Sequence, residues 1–198
     1  MINLSQAKKL IDLARQSILD YFEDKETNAS EQIKEEFSEK KGLFVSLYSE
    51  EELAGCIGYT MPITPLYKAV IDLARAAAFE DTRFPPLRKE QMKGLRIEIS
   101  VLTVPERLIA KKPEDYLKQI EIGKDGLIIK DPFGGSGLLL PQVAVDFKWG
   151  KEEFLANTCI KADLDSECWK DLRHHVYKFQ AQVFTEKDGK IVEKLISK

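Results

Sequence analysis

The opening segment of the chain has the apolar spacing of one helix face. From Leu4 to Phe22, apolar side chains recur every three or four residues, with polar residues between them. This period predicts an amphipathic helix, and Asn3 or Ser5 can cap its first free amides. Residues 24–41 are charged and polar with few apolar anchors, so they predict a weakly packed helix or a mobile connection.

The next two apolar runs predict a β-hairpin. Residues 43–48 and 53–59 are rich in side chains that favour strands, and the acidic stretch 49–52 separates them. Two such runs joined by a short polar segment are typical of antiparallel pairing. We therefore expect Cys56 to lie on the second strand of a hairpin, on or beside a sheet.

A second helix and a third strand follow. Apolar residues and alanines form a stripe over residues 66–77, and Pro65 suits the first turn of that helix. Residues 95–103 then alternate between apolar and polar side chains, which predicts a strand buried on one face. Glu98 and Ser100 share the polar face of that strand.

The second half of the chain mixes short helices with hairpins. The predicted elements are a helix over residues 114–120, a hairpin of 126–130 with 138–140 around the glycine-rich stretch 131–137, an interrupted helix over 143–160, one strand over 177–183 and a last strand after the Asp188-Gly189 turn. Because repeated βαβ units are missing from this pattern, it favours an α+β fold with largely antiparallel sheets. The length predicts a single domain over residues 1–198, with room for two lobes that no linker in the sequence separates.

Composition narrows the classes of partner. The 198 residues carry 30 basic and 33 acidic side chains, a formal net charge of −3, which makes nucleic acid an improbable partner. No run approaches the roughly 18 apolar residues of a membrane span, and the first residues lack a secretory signal. We therefore expect a cytoplasmic protein that does not enter a membrane.

Cysteine and histidine usage predicts neither a disulfide nor a metal site. Cys56, Cys159 and Cys168 are an odd count without a paired spacing, which is consistent with reduced thiols. The adjacent His174 and His175 belong to no metal-ligand motif, and the chain has no CxxC or HExxH arrangement. We expect no structural disulfide, no metal and no resident cofactor.

The stretch around Cys56 is the strongest candidate for chemistry. Gly55 and Gly58 flank the thiol, and glycine permits a bulge or a close approach of backbone. One hypothesis is a nucleophilic or redox thiol, which would need a base, a cation or helix-terminal amides beside it. The other is a packed or ligand-facing thiol, since free cysteine commonly behaves as a small apolar side chain.

Several blocks resemble the AMMECR family in the order that the family has them. They are L-A-G-C-I-G at residues 53–58, which resembles the LRGCIG signature, D-T-R-F at 81–84, E-I-S-V-L at 98–102, I-G-K-D-G-L-I-I at 122–129, L-P-Q-V-A at 140–144 and C-I-K-A-D-L at 159–164. The resemblance spans nearly the whole chain. Two positions depart from it: Ala54 replaces the arginine of the signature, and Asp163 replaces a glycine.

The resemblance implies a fold more directly than an activity. It implies an α/β-type protein of two unequal lobes and a biochemical activity that is not settled. It also implies association with radical SAM and Memo-type proteins in microbes. Because the chain has no CxxxCxxC motif, the cofactor of any such radical chemistry would belong to another chain.

Candidate ligand-binding residues follow from the motifs. They are Gly55, Cys56, Gly58, Asp81, Arg83 and Glu98. A carboxylate and a guanidinium two residues apart can bind a polar ligand, or can form a salt-bridge cluster at a helix end. We expect these residues to border one cleft.

Three functions remain open from the sequence. The first is a binding or accessory module whose two lobes enclose a polar cleft for a small molecule or a protein segment, acting beside a radical SAM or Memo-like enzyme. The second is a cysteine-dependent enzyme that uses Cys56. The third, a nucleic-acid-linked regulator, is disfavoured by the charge balance.

Overall fold

The computed structural model of the protein describes residues 1–194. The helices are α1 (Leu4–Phe22), α2 (Glu31–Glu36), α3 (Leu66–Phe79), α4 (Glu114–Gln119), α5 (Pro141–Asp146) and α6 (Lys151–Lys161), with 3-10 turns at Lys89–Gly94 and Cys168–Lys170. The strands are β1 (Leu43–Ser49), β2 (Glu52–Tyr59), β3 (Arg96–Leu102), β4 (Glu106–Arg107), β5 (Gly126–Lys130), β6 (Ser136–Leu139), β7 (His175–Phe179), β8 (Ala181–Lys187) and β9 (Lys190–Glu193). Within the described residues, no helix is both long and apolar enough to cross a membrane.

The described chain forms two compact units. The first contains residues 1–102 and 182–194, and the second contains residues 103–181. The first unit has a five-stranded sheet in the order β2-β1-β3-β8-β9, and the second has a four-stranded sheet in the order β4-β7-β5-β6. The mixture of helices with antiparallel sheets confirms the predicted α+β class.

In the first unit, α1 and α3 cover the apolar face of the sheet. Alternate β1 residues Leu43, Val45 and Leu47 are fully buried, as the period of a strand with one covered face requires. The two helices are joined inside the core by the Ser17 hydroxyl, which donates to the Ile71 carbonyl at 2.9 Å. The predicted amphipathic helix is thus confirmed, and its start is the Asn3 cap.

The predicted hairpin is also confirmed. β1 and β2 pair antiparallel and place Ser46 opposite Cys56. Glu50 and Glu51 connect them with φ values of 52° and 67°. Two consecutive residues of positive φ are characteristic of a type I′ turn, which matches the twist of the flanking strands.

The second unit packs its helices on the four-stranded sheet, with Phe154 and Leu155 of α6 fully buried in its core. Gly137 on β6 is required there, because a Cβ at that position would overlap the α6 backbone at Thr158 and Ala162. The glycine-rich segment before it is a hairpin connection, as predicted.

Two helices in this unit end in the same way. Lys148 after α5 and Asp163 after α6 have φ values of 56° and 58°. In each case the next amide reaches back to close the helix: Trp149 N–H to the Ala144 carbonyl, and Leu164 N–H to the Cys159 carbonyl. This is the Schellman arrangement, whose left-handed position favours glycine. It explains the predicted interruption near residues 149–150.

The prediction of a single strand over residues 177–183 is wrong. The chain leaves β7 at Phe179 and enters β8 at Ala181, and these strands belong to different sheets. Gln180 sits between them, and its N–H and carbonyl bond the Thr103 hydroxyl and N–H, each at 2.9 Å. The apolar alternation continues across the break because each strand buries one face of its own, so the sequence pattern carries no mark of it.

The expectation of no structural disulfide is also wrong. Cys159 and Cys168 are bonded within the second unit, with Cα atoms 5.9 Å apart. The chain turns back at the end of α6, so the 3-10 turn at Cys168–Lys170 returns against that helix, and both sulfurs enter the same core. A Cα separation of this size suits a disulfide. The spacing of the cysteines in the sequence does not indicate this turn. Cys56 is the free cysteine of the described chain.

Candidate functional site

The signature glycines shape the strand that carries Cys56. A Cβ on Gly55 would overlap the carbonyl oxygen of Ala77, so β2 and α3 approach each other more closely than any other residue would allow. A Cβ on Gly58 would enter the ring of Phe44, which lies over it from β1. Both glycines are therefore explained by packing within the first unit.

The peptide groups of Cys56 are held by the D-x-R element. The Cys56 N–H donates to Asp81 Oδ2 at 2.8 Å, and Arg83 Nη2 donates to the Cys56 carbonyl at 2.8 Å. β2 is an edge strand, so these outward groups have no strand partner on that side. Asp81 and Arg83 therefore satisfy the donor and the acceptor that a neighbouring strand would otherwise satisfy.

Asp81 and Arg83 also bind each other in a fork. Arg83 Nε lies 2.9 Å from Oδ1, and Nη2 lies 2.7 Å from Oδ2. The fork, with the N–H groups of Cys56 and Arg83, holds the pKa of the buried Asp81 carboxyl well below its usual range. The Arg83 side chain is 59% exposed and has the Phe84 ring 5.4 Å from its Cζ, so its guanidinium is fixed but open to solvent.

A second D-x-R element shows what is special about the first. In the second unit, Arg173 Nε and Nη2 bond Asp171 in the same fork, and these hydrogen bonds lower the pKa of Asp171 to about 2. That pair touches no strand backbone among its hydrogen bonds to the described residues. The fork is thus a local property of the D-x-R spacing, whereas the hold on Cys56 is specific to Asp81 and Arg83.

The thiol of Cys56 lies in a row of polar side chains across three strands. Ser46 faces Cys56 on one side and Glu98 on the other in the strand register. The Ser46 hydroxyl donates to Cys56 Sγ at 3.2 Å, and Lys194 Nζ lies 3.1 Å from Glu98 Oε2. Glu98 is 5% exposed, its partner Lys194 has a side chain that is 58% exposed, and Cys56 is half-buried, so the row ends in a buried carboxylate paired with a surface lysine on one side and a half-buried cysteine on the other.

Tyr48 adds a neutral hydroxyl beside this row. Burial, with the negative charge of Glu98 as the next cause, raises the pKa of Tyr48 to about 12. The guanidinium of Arg96 lies 4.1 Å from the centroid of its ring. Tyr48 therefore remains a hydrogen-bond donor throughout the neutral pH range.

The arrangement fixes the thiol without supplying a base. Within the described residues, the Ser46 hydroxyl donates to Sγ, and the Arg83 guanidinium also interacts with the Cys56 side chain. His174 is engaged elsewhere, with Nε2 3.5 Å from Asp131 in the second unit. Residues 1–194 also contain no group of three or more His, Cys, Asp or Glu side chains arranged to hold a metal ion. The geometry suits recognition by hydrogen bonds more than proton transfer at sulfur.

The structure brings the sequence candidates together in the first unit. Gly55, Cys56 and Gly58 form the strand, Asp81 and Arg83 contact its edge, and Glu98 lies two strands away across Ser46. The reasoning from sequence missed Ser46, Tyr48 and Lys194. The first two were detectable, because they alternate with the buried residues of β1 and so must share the face of Cys56.

Comparison with known proteins identifies the family. The AMMECR1 family model matches residues 11–184. The chain belongs to the AMMECR1 family. Relatives include a Pyrococcus furiosus protein, 46% identical over 183 residues that cover 89% of this chain and 86% of that one, and a Methanothermobacter thermautotrophicus protein, 41% identical over 189 residues that cover 95% and 97%.

The fold agrees with a solved AMMECR1-type structure. The crystal structure of uncharacterized protein PH0010 from Pyrococcus horikoshii is 42% identical in sequence, covers 98% of each chain and superposes with a TM-score of 0.90. The comparisons establish the AMMECR1 family and its α+β fold. An activity has to be argued from the site.

Proposed function

We propose that this AMMECR1 protein is a binding or accessory module in which the β2 edge around Cys56 and Arg83 recognises a small molecule or a protein segment. The supporting observation is the fixed guanidinium of Arg83. Nε and Nη2 are held by Asp81 and the Cys56 carbonyl, which fixes the guanidinium while the Arg83 side chain stays 59% exposed. A donor that is already immobilised loses little conformational entropy on binding. An acceptor such as a carboxylate or carbonyl is therefore bound at a lower entropic cost.

The polar row supports recognition in the same region. The half-buried thiol, the Ser46 hydroxyl and the neutral Tyr48 hydroxyl provide closely spaced polar groups on rigid strands. Sites built on strands hold their geometry better than sites on loops. The cleft between two lobes that the family resemblance implies stays a prediction.

The proposed partner is an enzyme of the radical SAM or Memo-like class, which is carried over from the family resemblance. Such an enzyme would supply the reactive cofactor, while this chain would supply a recognition surface. The test is capture of a named radical SAM or Memo-like protein by tagged protein in an extract of cells that contain it. Capture by the native chain is the expected result, and its absence would contradict the partner proposal.

Matched variants connect that capture to the site. Arg83→Lys keeps a positive charge beside Asp81 but loses the fork and the planar guanidinium, so we expect capture to fall about tenfold. Arg173→Lys makes the same change in the other D-x-R element and should leave capture unchanged. Equal capture by native chain and Arg83→Lys would show that the β2 edge is not the surface used.

A cysteine-dependent enzyme is the second candidate. The observation in its favour is the hydroxyl of Ser46 at 3.2 Å from the Sγ of the half-buried Cys56, since a donor to sulfur stabilises the thiolate. This candidate requires Cys56 to react faster than an ordinary thiol. No base is bonded to Sγ among the described residues, and the charge of the Arg83 guanidinium near the thiol is offset by Asp81, which favours the binding module.

A further inference from the structure

The second unit contains a cavity that the proposed function does not use. Its volume is about 480 Å³, within the range of small-molecule sites. Apolar and aromatic side chains make most of its wall, and charged groups stand at its edge. The residues on which the argument depends are Ile120, Ile122, Val145, Lys148, Trp149 and Lys151.

Trp149 gives the cavity an aromatic wall with an available donor. Its ring stacks on Phe147, with centroids 4.9 Å apart and planes at 18°, so the indole is supported from one side. Among the described residues, its indole N–H makes no hydrogen bond, although Trp149 is only partly buried. Because tryptophan N–H groups usually have a hydrogen-bond partner when they are buried, this donor is available to a ligand that enters the cavity.

Two lysines give the cavity a positive edge. Lys151 Nζ donates to the Leu117 carbonyl at 2.7 Å, which fixes one ammonium at the wall and leaves two of its three N–H groups. Lys148 is exposed, and its ammonium has no ion-pair partner within residues 1–194. Glu121 also lines the cavity, but Lys124 lies 3.4 Å from its carboxylate and offsets that charge.

We propose that this cavity binds an organic carboxylate with an apolar body, such as a medium-chain or aromatic acid. The apolar part lies against Ile120, Ile122 and Val145, and the carboxylate meets the Trp149 indole N–H and the Lys148 ammonium. The charge pattern selects this class, because a cation would face two ammonium groups and a neutral molecule would form only uncharged hydrogen bonds with them, without the attraction between opposite charges. The site lies in the second unit and goes beyond the function proposed for the β2 edge.

The backbone at Lys148 permits a variant that separates binding from folding. Lys148 has a φ of 56°, a conformation that favours glycine. Lys148→Gly therefore removes the ammonium while relieving the backbone, and its Tm should equal or exceed that of the native chain. Asp163→Gly is the matched control, since it makes the same backbone change after α6, where φ is 58°, without removing a charge from the cavity.

The experiment is a titration with octanoate, and in parallel with octan-1-ol, followed by the indole N–H signals in ¹H–¹⁵N spectra. Trp149 reports the cavity, and Trp169, which is 4% exposed, is the internal control. We expect octanoate to shift the Trp149 signal saturably, with at least about fivefold higher affinity than octan-1-ol. Lys148→Gly should bind octanoate about fivefold more weakly, because a partly exposed ion pair contributes a free energy of that order. Asp163→Gly should bind octanoate with the affinity of the native chain.

Three results would overturn the proposal. One is no saturable shift of the Trp149 signal with octanoate. Another is equal affinity for octanoate and octan-1-ol, which would reduce the cavity to a nonspecific apolar surface. The third is full octanoate affinity in Lys148→Gly, which would remove the ammonium from the site. None of these results depends on the β2 edge, so the proposed function is tested separately.

Discussion

At the scale of single residues, Cys56 is held through its peptide groups, and its side chain interacts with the Ser46 hydroxyl and the Arg83 guanidinium. Asp81 and Arg83 bond its N–H and carbonyl at 2.8 Å each, and Ser46 approaches Sγ at 3.2 Å. The D-x-R element therefore has a structural task that is complete without any ligand. What it leaves for recognition is the outer edge of Arg83 and the half-buried thiol.

The Asp81 carboxylate should stabilise the first unit in a pH-dependent way. Its pKa is lowered in the folded chain, so its contribution is present above about pH 4, the ordinary pKa of aspartate, and is lost as the pH falls towards the folded-state value. Asp81→Asn should lower the free energy of unfolding by about 2 kcal/mol at pH 7. Urea unfolding at pH 7 and pH 3 measures this, and the difference from the native chain should shrink at pH 3.

The control for this prediction is Asp171→Asn. It breaks the same type of fork, but the Asp171 side chain is 35% exposed and Arg173 is 79% exposed. Exposed pairs of this kind contribute below about 1 kcal/mol. If the two variants lose equal stability at pH 7, the hold on Cys56 adds nothing, and the account of the D-x-R element is wrong.

Asp163 stands where the family resemblance implies a glycine, and its backbone has the conformation that favours glycine. Its φ of 58° costs an ordinary side chain about 1–2 kcal/mol, and aspartate less. Glycine removes this strain, but it also increases the conformational entropy of the unfolded chain, which offsets part of the stabilisation. Asp163→Gly should therefore raise the free energy of unfolding by about 0.5–1 kcal/mol, measured by urea unfolding. Asp163→Ala should lower it, and equal stability of the two variants would speak against backbone strain as the cause.

At the scale of elements, the contact of β2 with α3 positions the site. Gly55 allows the strand to lie against the carbonyl of Ala77, and that helix then ends at Phe79, just before Asp81. The end of α3 thus delivers the D-x-R element to the strand edge. Any residue that separates β2 from α3 should loosen both the core and the hold on Cys56.

Gly55→Ala tests this contact. The added methyl group has backbone atoms in its way, which cannot swing aside as a flexible side chain does, so we expect a loss of about 3 kcal/mol in the free energy of unfolding. Thermal unfolding followed by circular dichroism measures it. Gly94→Ala is the control in the same unit, because its Cβ would meet nothing within 4 Å. A near-neutral Gly55→Ala would mean that the close approach is not required.

At the scale of the whole molecule, the sequence predicted the elements better than their breaks and cross-links. Periodicity located α1, the β1–β2 hairpin and the polar face with Glu98, because each follows from which side of an element is covered. The break at Gln180 left no trace, since the alternation continues through it. The Cys159–Cys168 bond was missed because it depends on a turn after α6 and not on a recognisable spacing.

The sequence identified residues of the site but not the contacts that those residues make with one another. The motifs named Cys56, Asp81, Arg83 and Glu98, but only coordinates reveal that Asp81 binds a peptide N–H of β2 and that Ser46 lies between Cys56 and Glu98. Hydrogen bonds between elements distant in sequence depend on the packing of both. Patterns within one element cannot specify them.

The most direct test of the account is the rate at which iodoacetamide alkylates Cys56 at pH 7.5, measured by peptide mass spectrometry without reductant and compared with free glutathione. Cys159 and Cys168 should remain unlabelled because they are bonded to each other. The account predicts that Cys56 reacts no faster than glutathione, since no base contacts its sulfur within the described residues and the charge of the nearby Arg83 guanidinium is offset by Asp81. Alkylation ten or more times faster, lost in Ser46→Ala, would contradict the account and favour a cysteine-dependent enzyme.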